Sequence, residues 1–465
     1  MSTVTQHQQV SVVDRAAEIV LLVAERLADP AVVADTAGRP DNRDPIYGAM
    51  MWGPMTLSNG LPGTAMFYAE LARRAPAWSP TTHRHVQAAG SAMTSQPSRG
   101  LHAGPASLLA ATQTCGDHYP GLRRRLAAWV AEDQLTRLDR LSVQHGEGVC
   151  WESYDIINGL AGTARLLLDS VDDPVENDAR VEQALLATLR HLVAVSEPIT
   201  VDGHTVPGWW VPAHLQSVEQ DRVEYPRGDF NLGLAHGIPG PALVLSLALR
   251  RGYEVTGQRE ALVRIVEWLV RWIRTDDQGT YWPCRVGFDD EIAMAPPESI
   301  FTRTAWCYGA PGVAAVVHHA GCTLNIPEWR AHAVRALHDA LARDESKWTL
   351  AGPTVCHGYA GLLQVIHRIG TAEQDEVLLD ARTRLTEAIL AMVDPNAPFV
   401  FRHPMRYSRA DPGPSKFKML DVAGILEGSA GVACALMSVI PAGLLGPEPD
   451  ASAPSRSWDR TLALS

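Results

Sequence analysis

Two kinds of apolar segment alternate along this chain. The first is long and one-sided: VEQALLATLRHLVAVS, REALVRIVEWLVRWIRTDD, EWRAHAVRALHDALARDE and EVLLDARTRLTEAILAMVD carry apolar residues at i, i+3, i+4 and i+7, with charge opposite. That period predicts helices covered on one face only. The second kind is shorter, apolar on every side, and opens on a Gly-x-x-Gly turn. It occurs as NGLPGTAMFYAELA from Asn59, AGPASLLAATQ from Ala103, NGLAGTARLLLD from Asn158 and HGIPGPALVLSLAL from His236. It returns as YGAPGVAAVVHHA from Tyr308, HGYAGLLQVIHRI from His357 and EGSAGVACALMSVI from Glu427. Only the second copy departs from the pattern, with Ser107 in place of its second glycine.

One Gly-x-x-Gly means little in a chain with 37 glycines, but seven, each opening an apolar helical segment, define a repeat. Helices apolar all round must be buried, and one-sided helices must cover them. The predicted fold is therefore all-α: a seven-fold α/α toroid with inner and outer rings of seven helices. The first glycines stand at 60, 104, 159, 237, 309, 358 and 428. These intervals suit helical hairpins, and the longer ones leave room for strands or lids. One toroid domain is expected over residues 10–445, with residues 113–153 as a possible small insertion. The polar residues 1–9 and the Pro/Ser/Asp-rich residues 446–465 are expected to be disordered tails.

Composition narrows the function classes. Hydrophobic residues make up 46% of the 465 positions, enough for a large core, and the net charge is -12. No dense basic run offers a footprint for nucleic acid. The N-terminal apolar stretch is interrupted by Asp14, Arg15 and Glu18 at helical period. It reads as an amphipathic helix, not a signal peptide, and no segment suits a membrane span. Seven scattered cysteines do not form a secreted disulfide framework, so a cytoplasmic protein with reduced or metal-bound thiols is expected.

Closing the ring would bring the seven turns to one end. The residues just before the first glycines then become equivalent: Asn59, Ala103, Asn158, His236, Tyr308, His357 and Glu427. One place earlier stand Cys307 and Cys356. Cys307, Cys356 and His357 thus fall at matching heights on adjacent repeats. Two thiolates and an imidazole make a soft three-ligand zinc site with an open fourth position, the arrangement of a catalytic metal. The competing reading keeps both cysteines as core residues and His357 as a satisfied polar group. His318 and Cys322, one helical turn apart, form a second candidate cluster.

The runs DIINGLAGT, GLAHGIPGP, TAWCYGAPGV and VCHGYAGLL together resemble the lanthionine synthetase C family, the cyclases of lantibiotic biosynthesis, over about residues 50–445. The approach segment PGWWVPAHLQSVEQDRVEYPRGDF resembles that family as well. The resemblance implies a zinc-dependent enzyme. In it, a cysteine thiol of a dehydrated precursor peptide adds to a dehydroalanine or dehydrobutyrine of the same peptide and closes a thioether ring. It implies metal ligation by Cys307, Cys356 and His357, with His236 as general acid. It also implies that Asp155 orients His236, and that Arg303 and Tyr308 stabilise the enolate oxygen. A helix-cap role for Asp155, and pairing of Arg303 with Glu298 or Asp155, remain open beside these; Glu427 has no assigned role. The family further implies a dehydratase and an exporter as partners in a complex. Addition of glutathione to dehydroamino acids, a non-catalytic scaffold and an α/α-barrel glycosidase are the alternatives. The last needs two facing carboxylates.

Overall fold

The computed structural model describes residues 11–95, 99–141, 147–295, 302–407, 417–441, 443–446 and 456–465. Numbered in chain order, the seven helices that follow the glycine turns are α3 (Leu61–Arg74), α5 (Pro105–Thr114), α7 (Leu160–Val171), α10 (Pro239–Arg250), α13 (Ala310–Leu324), α15 (Tyr359–Glu373) and α17 (Ser429–Val439). Each packs on the next, and α17 packs on α3, which closes the ring. Every residue from Ala310 to His318 in α13 is buried, as an inner helix requires.

The outer ring comprises α4 (Ser79–Ala92), α6 (Pro120–Arg140), α8 (Ala179–Ser196), α11 (Gln258–Arg271), α14 (Pro327–Ala342) and α16 (Glu376–Leu390), each packed on its inner partner. The seventh outer position is filled from the other end of the chain. Helix α1 (Val12–Arg26), capped by Ser11, packs on α17 and α16. Its stripe Ala16, Ala17, Val20, Val23 and Ala24 is buried, so the amphipathic N-terminal segment closes the last hairpin. Three short helices, α2 (Pro30–Ala37), α9 (Glu219–Glu224) and α12 (Phe288–Ala293), complete the set among the described residues.

Among the described residues, strands appear only as two-stranded antiparallel ribbons in the connections. They pair β1 (Ile199–Val201) with β2 (His204–Val206), β3 (Asp229–Asn231) with β6 (Arg285–Gly287), β4 (Arg274–Asp276) with β5 (Gly279–Tyr281), and β7 (His403–Arg406) with β8 (Phe417–Leu420). The three longest intervals between the first glycines hold all eight of these strands. No helix among the described residues is long and apolar enough to cross a membrane.

Two expectations need correction. Residues 113–153 are not an inserted lobe: α6 is the outer partner of α5 and also packs on α7 and α8. Nor is the C-terminal stretch wholly a loose tail. Residues 1–9 and 447–455 lie outside the described residues, but 456–465 fold into the interior of the ring. Trp458, Asp459, Arg460, Thr461 and Leu462 form a buried single turn. Composition pointed the wrong way because the charged residues here are paired. Asp459 takes the Arg368 guanidinium, and Arg460 donates to the Ala110 carbonyl at 2.6 Å.

The second glycine of each turn explains how the ring is held. A Cβ at Gly312 would lie 2.1 Å from the Trp306 carbonyl oxygen and 3.0 Å from Leu234 of the preceding repeat. Gly240 likewise meets Ile156, Gly361 meets Trp306, Gly431 meets Val355, and Gly63 meets Gly424 across the closure. Gly312→Ala is expected to cost about 1–3 kcal/mol through forced backbone displacement. Gly90→Ala, in α4 with open space around it, is expected to gain about 0.5–1 kcal/mol. Urea unfolding of both variants checks the pair, and equal effects would refute the account.

A buried histidine adds a pH term. His85 is fully buried, with Nδ1 2.8 Å from Thr64 Oγ1 and Nε2 3.0 Å from the Leu27 carbonyl. Burial holds it down to about 4, against about 6.5 in an unfolded chain. As pH falls below 6.5 the unfolded chain takes up this proton first, so the stability His85 contributes at neutral pH is lost toward pH 4. The stability difference between the parent and His85→Gln should therefore change by about 1 kcal/mol per pH unit between 6.5 and 4.5, against the parent. Chemical unfolding across that range measures it.

Candidate functional site

At one end of the toroid, backbone hydrogen bonds join six of the seven neighbouring pairs of glycine turns. Leu57 N–H donates to the His102 carbonyl at 2.9 Å, Ile156 to Ala235 at 3.3 Å, and Ala235 to Cys307 at 3.3 Å. Cys307 donates to Cys356 at 3.2 Å, Cys356 to Leu426 at 2.8 Å, and Ile425 to Leu57 at 2.8 Å. Between the second and third turns, Gly100 lies directly against the Ile157–Asn158 backbone. At Gly309, beside Cys307, φ is +91°, and a Cβ would overlap the Arg303 carbonyl at 1.6 Å. Only glycine permits that fold-back, which sets Arg303 and Cys307 on one tight loop.

Cys307, Cys356 and His357 come together as the repeat register requires. One ligand atom from each lies within 4.8 Å of the others. The Cys356 thiol donates to Cys307, and this hydrogen bond holds Cys307 well below the usual thiol range, with His357 and Arg303 acting in the same direction. Cys356 is pushed well above it, first by sharing its proton with Cys307 and then by burial. A pair of thiols, one buried and one half-buried, that already favours a thiolate beside an imidazole fits a soft divalent metal such as zinc.

The second cluster behaves differently. His318 and Cys322 do meet Glu373, but Glu373 already takes Arg330 at 2.7 and 3.0 Å and His318 at 2.6 Å. Its negative charge is met by a guanidinium, so the cluster is held as an ion-pair network. His319 faces the ring interior, 3.4 Å from the Leu464 carbonyl.

His236 lies on the next turn back. Its Nδ1 is 2.7 Å from Asp155 Oδ2, while Asp155 Oδ1 accepts from the backbone N–H groups of Asn158 at 2.7 Å and Gly159 at 2.5 Å. Orienting and capping roles therefore coexist on separate oxygens of one fully buried carboxylate. With Nδ1 engaged, Nε2 is the ring nitrogen left for chemistry.

Tyr308 Oη accepts from Asn231 Nδ2 at 3.0 Å, and burial raises its phenol well above the usual range, so it stays protonated. Arg303 lies close enough to favour the thiolates of both Cys307 and Cys356. Asp155 is engaged by His236, and Glu298 lies outside the described residues. Glu427 is half-buried beside His357 and Cys307, and burial raises its carboxyl pKa.

Three neighbours escaped the sequence reading. Trp151 stacks on His236, with ring centroids 5.1 Å apart and planes at 20°. Arg285 lies 5.3 Å from the Trp151 ring, while pairing with Asp229 and with Asp221. His403 on β7 packs edge-on against His357 at 5.3 Å. None belongs to the glycine register. Only the aromatic content of the WWVP and CWES runs offered a signal, and it did not say what the rings would touch.

Comparison with known proteins agrees with this architecture. Residues 51–443 match the family described as lanthionine synthetase C-like protein. The nisin biosynthesis protein NisC of Lactococcus lactis subsp. lactis is 23% identical over 322 residues, covering 68% of this chain and 73% of that protein. The solved structure of a nisin cyclase superposes with a TM-score of 0.72 at 19% identity, covering 97% of this chain and 96% of the other. That superposition supports the helical toroid. With a family match running through all seven glycine turns, the chain belongs to the lanthionine synthetase C-like family.

Proposed function

We propose that this protein is a zinc-dependent lanthipeptide cyclase. It would add cysteine thiols of a dehydrated precursor peptide to dehydroalanine or dehydrobutyrine of the same peptide, forming lanthionine or methyllanthionine. The observation that carries this reading is the juxtaposition of two dissimilar units on neighbouring turns. The thiol–thiol–imidazole group of Cys307, Cys356 and His357 is joined to the His236–Asp155 couple by the hydrogen bond from Ala235 N–H to the Cys307 carbonyl. The relationship to the nisin biosynthesis protein points the same way.

Cys307, Cys356 and His357 would hold the zinc. When bound, the metal supplies Lewis acidity that lowers the pKa of an incoming substrate thiol. The remaining chemistry belongs to the chain. As sulfur bonds to the β-carbon, the alkene electron pair moves toward the neighbouring carbonyl and an enolate develops. Arg303 and the protonated Tyr308 hydroxyl stabilise that oxygen. His236, kept in orientation by Asp155, delivers a proton from Nε2 to the α-carbon, and the thiol's proton restores the balance. Trp151 covers one face of the imidazole and limits its rotation.

Three experiments test the reading. Purified protein should contain about one zinc per chain, and Cys307→Ala should lose it; a metal-free parent protein would overturn the reading. On incubation with a dehydrated precursor peptide, free thiols scored by alkylation should disappear without added thiol. Thiols that persist while added glutathione is incorporated would favour the alternative donor. Asp155→Asn should keep its zinc yet lose at least about a hundredfold in turnover, because the imidazole is no longer held in its productive tautomer. Unchanged turnover in that variant would remove His236–Asp155 from the mechanism.

A further inference from the structure

Residues 456–465 make contacts that no surface tail makes. Trp458 N–H donates to Glu70 on α3 at 2.6 Å, and Arg460 donates to Ala110 and Thr114 on α5 at 2.6 and 3.0 Å. The Ser465 carbonyl accepts from Arg165 on α7 at 2.6 and 3.1 Å, and Leu464 meets His319 on α13 at 3.4 Å. Asp459 takes Gln364 and Arg368 on α15, and Trp458 Nε1 lies 3.4 Å from Ser438 on α17. A segment that touches six of the seven inner helices can only lie inside the ring.

The upper end of this segment reaches the floor of the metal group. The Leu462 carbonyl accepts from Trp306 Nε1 at 3.0 Å, with both residues fully buried. Trp306 immediately precedes Cys307, and a Cβ at Gly361 would stand 3.1 Å from the Trp306 Cβ. Gly361 opens α15, just after Cys356 and His357. Trp306 is therefore a wedge between the repeat that carries one thiol and the repeat that carries the other two donors. Its indole has one hydrogen-bond donor, and that donor is anchored from below.

We propose that residues 456–465 are an intrachain plug that positions the metal centre. Through the Leu462 carbonyl and the Trp306 wedge, the plug sets the spacing of Cys307 from Cys356 and His357. This rests on the zinc reading above and extends it from the three donors to the segment that holds them. Trp306 and Leu462 act as positioning residues, because neither is a ligand.

The test is the rate at which a chelator strips zinc from the full-length protein, measured well below its unfolding temperature. The d–d and thiolate charge-transfer bands of the cobalt-substituted protein serve as a second readout. Trp306→Phe keeps an aromatic ring at the wedge and removes the donor to Leu462 together with part of the ring volume. It should speed zinc release roughly ten- to hundredfold, as loss of a supporting group around metal ligands does, and should alter the cobalt bands. Arg460→Lys keeps a charge opposite Asp169 but shortens the reach to α5. It should shift release in the same direction from the far end of the plug, and it decides the matter if Trp306→Phe does not fold. Val20→Ala in outer helix α1 controls for general destabilisation and should leave release unchanged. If the parent holds zinc and the plug variants release it at the parental rate, or only in step with Val20→Ala, the plug proposal falls and the functional reading stands. If the parent holds no zinc, the functional reading itself falls.

Discussion

The contact on which the rest of this structure depends is a backbone approach that tolerates no Cβ. At the start of six inner helices the second glycine of the turn presses on the preceding repeat: Gly162 on Leu101, Gly240 on Ile156, Gly312 on Leu234, Gly361 on Trp306, Gly431 on Val355 and Gly63 on Gly424. Interiors are packed too tightly for a side chain to be absorbed at such a joint. The second turn solves the same problem differently. Ser107 fills the position and spends its hydroxyl on the carbonyls of Met55 and Gly104, at 3.1 and 2.7 Å. That hydroxyl ties the second repeat to the first by a polar bond where the others rely on close approach.

This packing is what turns distant sequence positions into one site. Because every joint has the same depth, residues one and two places before the first glycine share a level, and the ring of hydrogen-bonded turns holds them there. The candidate site residues then fall on neighbouring repeats. Asp155 belongs to the third turn, His236 to the fourth, Cys307 and Tyr308 to the fifth, and Cys356 and His357 to the sixth. The first two turns carry Asn59 and Ala103 at the equivalent place. Four of the seven turns thus carry the candidate residues, and Glu427 stands at the equivalent place on the seventh.

The repeat and the clustering of Cys307, Cys356 and His357 were legible because both are written in register. Glycines mark the joints, and two Cys and one His recur at fixed offsets from them. What escaped was whatever the register does not encode. Trp151 and His403 reach the site from connections of no fixed length, and their partners are set by tertiary packing alone. The pairing of α1 with α17 is a closure between opposite ends of the chain, and no local period announces it. The largest miss was 456–465. Pro, Ser and charge read as disorder when counted, but Trp458, Leu462 and Leu464 are buried anchors, and Asp459 and Arg460 are buried with partners. The 113–153 stretch stood as a possible insertion through the family resemblance alone, and it supplies a regular outer helix instead. Its helix α6 is strongly charged, yet Arg123 is buried against Asp173 and Glu176.

The charged interior has its own logic. A ring of seven helices encloses a bore, and a bore lined entirely by hydrophobes would have to be filled by hydrophobes up to the turns. Here the half away from the turns is filled by ion pairs. Asp169 takes Arg165 at 2.8 Å and Arg251 at 2.7 Å, while Arg456 bridges Asp173 and Glu176 at 2.6 and 3.2 Å. Burial alone would raise the Asp169 carboxyl, but Arg165, Arg460 and Arg251 overcome it and hold the group below the usual range. Such pairs add little net stability over a well-packed apolar filling, and removing one partner is costly. Their value lies in direction, since the guanidinium groups and carboxylates share one bonded network and the segment has one way to lie in it. A plug held by directional pairs ends at a defined height, with the Leu462 carbonyl under Trp306, and leaves the space on the turn side to the thiols and imidazoles of the candidate site.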